Sequence, residues 1–119
     1  MKRIIIYVLL IFSSSCYYDA ADLLYPASGV CDTTATSYSQ KVVPLLQQHC
    51  YSCHLSASSG GGIMMGTYSA DKTLATNGKL YGSISHTAGY SAMPKGAAKM
   101  TNCQIAIIKQ WIDAGTPAN

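Results

Sequence analysis

Cys50-Tyr51-Ser52-Cys53-His54 constrains this chain more than any other stretch. Two thiols three positions apart, with a histidine directly after the second, form the attachment sequence for a c-type haem. Both thiols would add across the vinyl groups of one porphyrin, and the two-residue spacer lets the backbone turn so that both sulfurs reach one ring edge. His54 then supplies an imidazole nitrogen to the iron as proximal axial ligand. Two other chemistries use such cysteines. A dithiol redox pair normally opens a helix after a strand, and no strand pattern precedes Cys50. A zinc site needs two further ligands at suitable spacing, and no second cysteine pair follows.

The N-terminus points to the compartment in which haem is attached. Lys2 and Arg3 precede an unbroken apolar run from Ile4 to Phe12, and Ser13, Ser14 and Ser15 precede Cys16. This reads as an export signal over residues 1–15, with an apolar run too short for a permanent span. The Ser-Ser-Ser-Cys junction looks like a bacterial lipoprotein cleavage site, with Ser13 where that pattern usually has Leu. The expectation is lipidation at Cys16 and anchoring to a membrane of the cell envelope, on the periplasmic side or its equivalent. Cleavage would remove Lys2 and Arg3 and leave six lysines against five aspartates, a formal charge of +1 where the whole chain has +3. No basic stripe remains to argue for nucleic acid.

Five cysteines are present. With Cys16 lipidated and Cys50 and Cys53 bound to haem, Cys31 and Cys103 remain. In an oxidising compartment they are expected to pair as a disulfide, the alternative being two separate buried thiols.

Residues 16–36 read as a lipidated tether and N-terminal extension, rich in turn formers. Residues 37–119 read as one domain. Its first helix spans 37–49, capped by Ser37, with Tyr38, Val42, Leu45, Leu46 and His49 at helical spacing. Pro44 is expected to kink it or split it into two short turns. His49 is placed on its polar side. The glycine-rich stretch within 55–68 reads as a loop passing close to the cofactor. A short helix over 69–77 has Ser69 as N-cap and Gly78 just past its end, and a further helical turn covers 79–86, with Leu80, Ile84 and Tyr81 inward. Residues 87–100 form a loop. The clearest helix is 102–114, where Thr101 and Gln104 match a capping box, Ile105, Ile108 and Ile112 share a face beside Trp111, and Gly115 ends it.

Three segments resemble small monohaem c-type cytochromes: Val42-Val43-Pro44-Leu45-Leu46 leading into the Cys50–His54 motif, Tyr90-Ser91-Ala92-Met93-Pro94-Lys95-Gly96, and Trp111-Ile112-Asp113-Ala114-Gly115. The likeness covers roughly residues 37–115. It implies an all-α, cytochrome c-like fold of three to five short helices around one covalent haem c. Within it, the C-terminal helix would cross the first. It also implies one-electron transfer between exported redox proteins, or within a membrane electron-transfer complex, by a monomer or a complex subunit. With both axial positions filled, a carrier is expected rather than an enzyme. A small haem enzyme or gas sensor would need a labile sixth site.

Met93 is the expected sixth ligand, a soft thioether that raises the reduction potential relative to bis-histidine ligation. His86 is its rival. Met64 and Met65 read as haem-contacting or surface residues, and Met100 as packed beneath the last helix. Tyr38, Leu45, Leu46, Leu80, Ile84, Ile108 and Trp111 are the candidate porphyrin walls. Lys79, Lys95 and Lys99 either ring the haem edge or are ordinary surface charge.

Overall fold

The computed structural model describes residues 31–119, which form one compact unit. The segment expected to be an export signal (1–15), the expected lipidation site Cys16 and the expected tether as far as residue 30 lie outside the described residues. Four helical stretches, and no strand, occur among the described residues, so this unit is all-α. None of these helices is long and apolar enough to cross a membrane.

The first helical run, α1 (residues 38–54), changes hydrogen-bond register along its length. It is π-helical over Tyr38–Val42, α-helical over Val43–Leu46, π-helical again over Gln47–Tyr51 and α-helical over Ser52–His54. The break expected at Pro44 does not occur. Proline has no N–H to give to the carbonyl of residue 40, and in a regular α-helix that bond would be missing. Here the turn before it is already widened, with the Val42 amide on the Ser37 carbonyl (3.2 Å) and the Val43 amide on the Tyr38 carbonyl. Pro44 enters at the start of the α-helical segment, where its ring is tolerated. The second π-turn contains Cys50, in keeping with the tendency of such turns to mark functional positions.

Helix α2 (Tyr68–Thr76) starts one residue earlier than the spacing predicts, and its cap is Thr67 rather than Ser69. Thr67 is extended, and its hydroxyl accepts the Ala70 amide at 3.3 Å. Ser69 lies in the first turn, where its carbonyl accepts the Thr73 hydroxyl at 2.8 Å. Gly78, left-handed at φ 79°, turns the chain into α3 (Lys79–Ile84), and the Asn77 side chain accepts the Lys79 amide at 3.0 Å. Helix α4 (Asn102–Asp113) has both halves of its capping box. Thr101 Oγ1 accepts the Gln104 amide (3.2 Å), and Gln104 Oε1 accepts the Thr101 amide (2.9 Å).

The core forms where α4 meets the first turns of α1. Trp111 is fully buried and stacks on Tyr38 with ring centroids 5.2 Å apart, and its indole N–H donates to the Pro117 carbonyl at 2.9 Å. Val42, Leu46 and Ile108 are completely enclosed around it, with Met100 and Ile105 nearly so. Asn119 closes the amino end of α1. Its carbonyl accepts the Ser39 amide (2.9 Å) and its side-chain oxygen the Tyr38 amide (2.9 Å), satisfying donors that a helix start leaves open.

Residues 31–36 pack onto this unit rather than trailing from it. Thr36 is buried, Lys41 pairs with Asp32 at 3.0 Å, and Cys31 is bonded to Cys103 with Cα atoms 5.3 Å apart. Across a separation of 72 residues, such a bridge removes about 4 kcal/mol of unfolded-state entropy in the chain-entropy model.

Candidate functional site

The last turns of α1 carry Cys50, Cys53 and His54 onto the wall of a cavity of about 800 Å³. That is in the upper part of the range of roughly 300–1,000 Å³ for sites that bury a cofactor-sized molecule. Ile63 and Met65 of the glycine-rich stretch, Leu74 of α2 and Leu80 and Ile84 of α3 supply apolar wall, and Met93 and Pro94 lie on it as well. Cys50 is buried and Cys53 exposed, and the two are not bonded to each other. Burial, and after it the negative charge of Asp71, pushes the Cys50 thiol up to about 11. A free thiol so raised is a weak nucleophile at neutral pH. Among the described residues, no three of His, Cys, Asp or Glu converge as a metal-binding group.

His54 is half-buried, with Nδ1 3.1 Å from the Ile63 carbonyl. A carbonyl only accepts, so Nδ1 carries the proton and Nε2 keeps its lone pair for a metal. This is the arrangement that fixes ring orientation and raises basicity in metal-ligating histidines. Gly60 makes room for it. A Cβ there would stand 2.3 Å from the Ile63 carbonyl and 2.7 Å from His54 Nδ1. Gly60→Ala is therefore expected to displace this contact and to cost about 1–3 kcal/mol, the usual range for overpacking. Circular-dichroism melts of the two proteins check it, and equal midpoints would contradict it.

Met93 is half-buried and belongs to the cavity wall. Its amide donates to the Ser83 carbonyl at 3.1 Å, and its own carbonyl meets His86 Nε2 at 3.0 Å. His86, the rival ligand, is exposed and lies outside the lining, with its Nε2 proton directed at the backbone that carries Met93. The Tyr90 ring also holds this loop. It lies over Gly82 so closely that a Cβ there would come within 2.5 Å of ring carbons. Nothing in the periodicity distinguished Gly82 or Tyr90.

Several side chains lie elsewhere than their spacing suggested. Of the candidate walls, only Leu80 and Ile84 line the cavity. Leu46, Ile108 and Trp111 are enclosed in the core, and Tyr38 and Leu45 pack against it, because the apolar stripe of α4 seats against the start of α1. His49 is not on a polar face. It is half-buried on the cavity wall, with Nε2 3.2 Å from Gln104 Nε2. Since Gln104 Oε1 is occupied by the Thr101 amide, the Gln104 nitrogen donates and His49 Nε2 accepts. Met65 is buried on the wall, whereas Met64 is exposed.

Asp71 is the residue that sequence reasoning passed over. It is fully buried and accepts from Tyr51 Oη (2.5 Å), Tyr38 Oη (2.8 Å) and the Gly66 amide (3.1 Å). Burial and the bond to Asp71 push the Tyr38 phenol up to about 12, and Tyr51 is raised further for the same reasons. An aspartate in the first turn of a helix reads in sequence only as a complement to the helix dipole.

Lys79 and Lys95 stand on the cavity rim and are exposed; Lys99 is exposed but outside the lining. The ion pairs among the described residues are Lys41–Asp32 and Lys109–Asp113, and neither includes these three lysines.

No family model matches this chain, and no curated protein or solved structure is significantly similar to it.

Proposed function

We propose that the chain is a one-electron carrier with a single haem c, bound through thioethers at Cys50 and Cys53 and ligated by His54 and Met93, on a cytochrome c-like version of the all-α fold. The observation that carries this reading is His54, whose Nδ1 proton is engaged by the Ile63 carbonyl while the ring sits beside two unpaired thiols on the cavity wall. The donor set fits the group: an imidazole with a free Nε2, a thioether on the same cavity, and apolar wall between them. Haem, when bound, supplies the reversible one-electron change at iron.

The chain's own residues do the rest. Ile63 and Gly60 fix the His54 ring. His86 and Ser83 hold the backbone on either side of Met93. Ile63, Met65, Leu74, Leu80 and Ile84 keep water from much of the site, which raises the weight of every charge near it. Lys79 and Lys95 on the rim favour a negatively charged redox partner. Export, lipidation at Cys16 and residence in the cell envelope complete the proposal, since c-type haem is attached after export.

Ligation is tested by the near-infrared edge of the oxidised spectrum. Wild type and His86→Ala are expected to show the methionine–iron charge-transfer band, and Met93→Ala to lack it. A band that survives Met93→Ala, or bis-histidine spin resonance in wild type, would contradict the assignment. Rapid carbon monoxide binding to the reduced wild type without ligand displacement would point to a sensor or enzyme instead.

A further inference from the structure

Asp71 is fully buried, and every hydrogen bond of its carboxylate is one it accepts. Oδ1 takes the Gly66 amide at 3.1 Å, and Oδ2 takes Tyr51 Oη at 2.5 Å and Tyr38 Oη at 2.8 Å. An amide can only donate, and two phenols converge on one oxygen. That set suits an ionised carboxylate, which is acceptor-only. Neither ion pair among the described residues involves Asp71. A buried carboxylate held by neutral donors alone is an expensive feature, because its desolvation is not offset by a partner charge. Helix α2 needs no such cost. An exposed acid in the first turn would serve its dipole equally well.

Asp71 is bracketed by the cavity. Gly66, whose amide it binds, follows the wall residue Met65. Leu74, one turn along α2, is also on the wall, and Tyr51 adjoins Cys50. The charge reaches that far, since it contributes, after burial, to the raised Cys50 thiol.

We propose that Asp71 is a built-in counter-charge for the redox cofactor, a buried negative group that favours the oxidised state and so lowers the reduction potential. This rests on the haem reading above. On oxidation one electron leaves for an external acceptor, the iron–porphyrin unit becomes more positive by one charge, and no proton or bond need move. Asp71 touches no reacting atom and acts through its field. Tyr38 and Tyr51 are positioning residues that hold its carboxylate. In a partly dry interior that field is weakly screened by salt, unlike the field of the rim lysines.

The test is a spectroelectrochemical titration of wild-type and Asp71→Asn holoproteins at low and high salt. Asparagine keeps the shape and removes the charge. At a fixed applied potential the reduced-to-oxidised ratio is expected to rise about tenfold in the variant, about 59 mV for a one-electron couple, and to do so at both salt concentrations. Simple loosening of the fold would expose the haem and move the potential downward. An unshifted or lowered potential, in a variant that keeps the wild-type visible spectrum, overturns the proposal. Should Asp71→Asn not accumulate, the triple variant Asp71→Leu, Tyr38→Phe, Tyr51→Phe removes the charge with both phenolic donors. It is expected to shift the same way, and failure to rise overturns the proposal equally. Covalent haem with an unshifted potential sinks this inference alone. Wild type lacking covalent haem sinks it together with the reading beneath it.

Discussion

Replacing Cys50 and Cys53 together by alanine is expected to leave a protein without attached haem and without a cooperative native fold. The physical reason is the size of the cavity beside them. A site of about 800 Å³ walled in part by aliphatic side chains is not kept dry by the protein alone. Ile63, Met65, Leu74, Leu80 and Ile84 must therefore face an apolar occupant, face water, or collapse. Water on so many aliphatic side chains forfeits much of the burial that a small domain depends on. The proposed thioethers would also hold the occupant to the end of α1, so their loss would remove a covalent constraint as well. Thermal and denaturant melts of the double variant, expressed beside wild type, check this. Broad or absent transitions are expected, and a sharp wild-type-like melt would contradict the account.

Trp111→Ala is expected to destabilise the protein by about 3–5 kcal/mol, the range for truncating a large buried aromatic. Three losses coincide. The indole is fully enclosed, it stacks on Tyr38 at 5.2 Å, and its N–H is the partner of the Pro117 carbonyl at 2.9 Å. Tyr38 is in turn tied to Asp71, so loosening its ring disturbs the buried carboxylate too. For a domain of this size each kcal/mol moves the midpoint by roughly 4–8 °C, giving a fall of at least about 12 °C. Leu55, which is 61% exposed, provides the control, because its truncation should stay within about 0.5 kcal/mol. A Trp111→Ala midpoint within about 4 °C of wild type would show that α4 does not carry the core as described.

The parts of the fold that were legible are those in which neighbouring residues do the work. Thr101 and Gln104 announce the start of α4 because their bonds close within one turn, and Gly115 ends it because the chain there requires φ 86°. The Cys50–His54 motif is local in the same way, since the haem attachment proposed for it would use five consecutive residues. Long-range choices left no local mark. Nothing near Asp71 indicates that phenols from positions 38 and 51 will meet it, and nothing near Gly82 announces the Tyr90 ring. Pro44 misled because its effect depends on the helix around it, and a π-turn before it absorbs what a regular α-helix would not. Ser69 and Thr67 are equally good caps in composition. Thr67, two residues before Ser69, is used where Gly66, at φ 97°, turns the chain into the helix. Trp111 and Tyr38 were assigned to the cofactor because large aromatics at helical spacing suit any apolar neighbour, and here the neighbour is the other helix.

Whether Cys50 and Cys53 hold a haem covalently is decided by extraction. The protein is expressed with a haem-attachment system in an exporting host, purified, and extracted with acidified acetone, which removes haem that is not covalently bound. The haem absorption is expected to stay with the polypeptide in wild type and to be lost in Cys50→Ala with Cys53→Ala. A wild-type polypeptide that emerges colourless, with its haem in the solvent or with none at all, would contradict it.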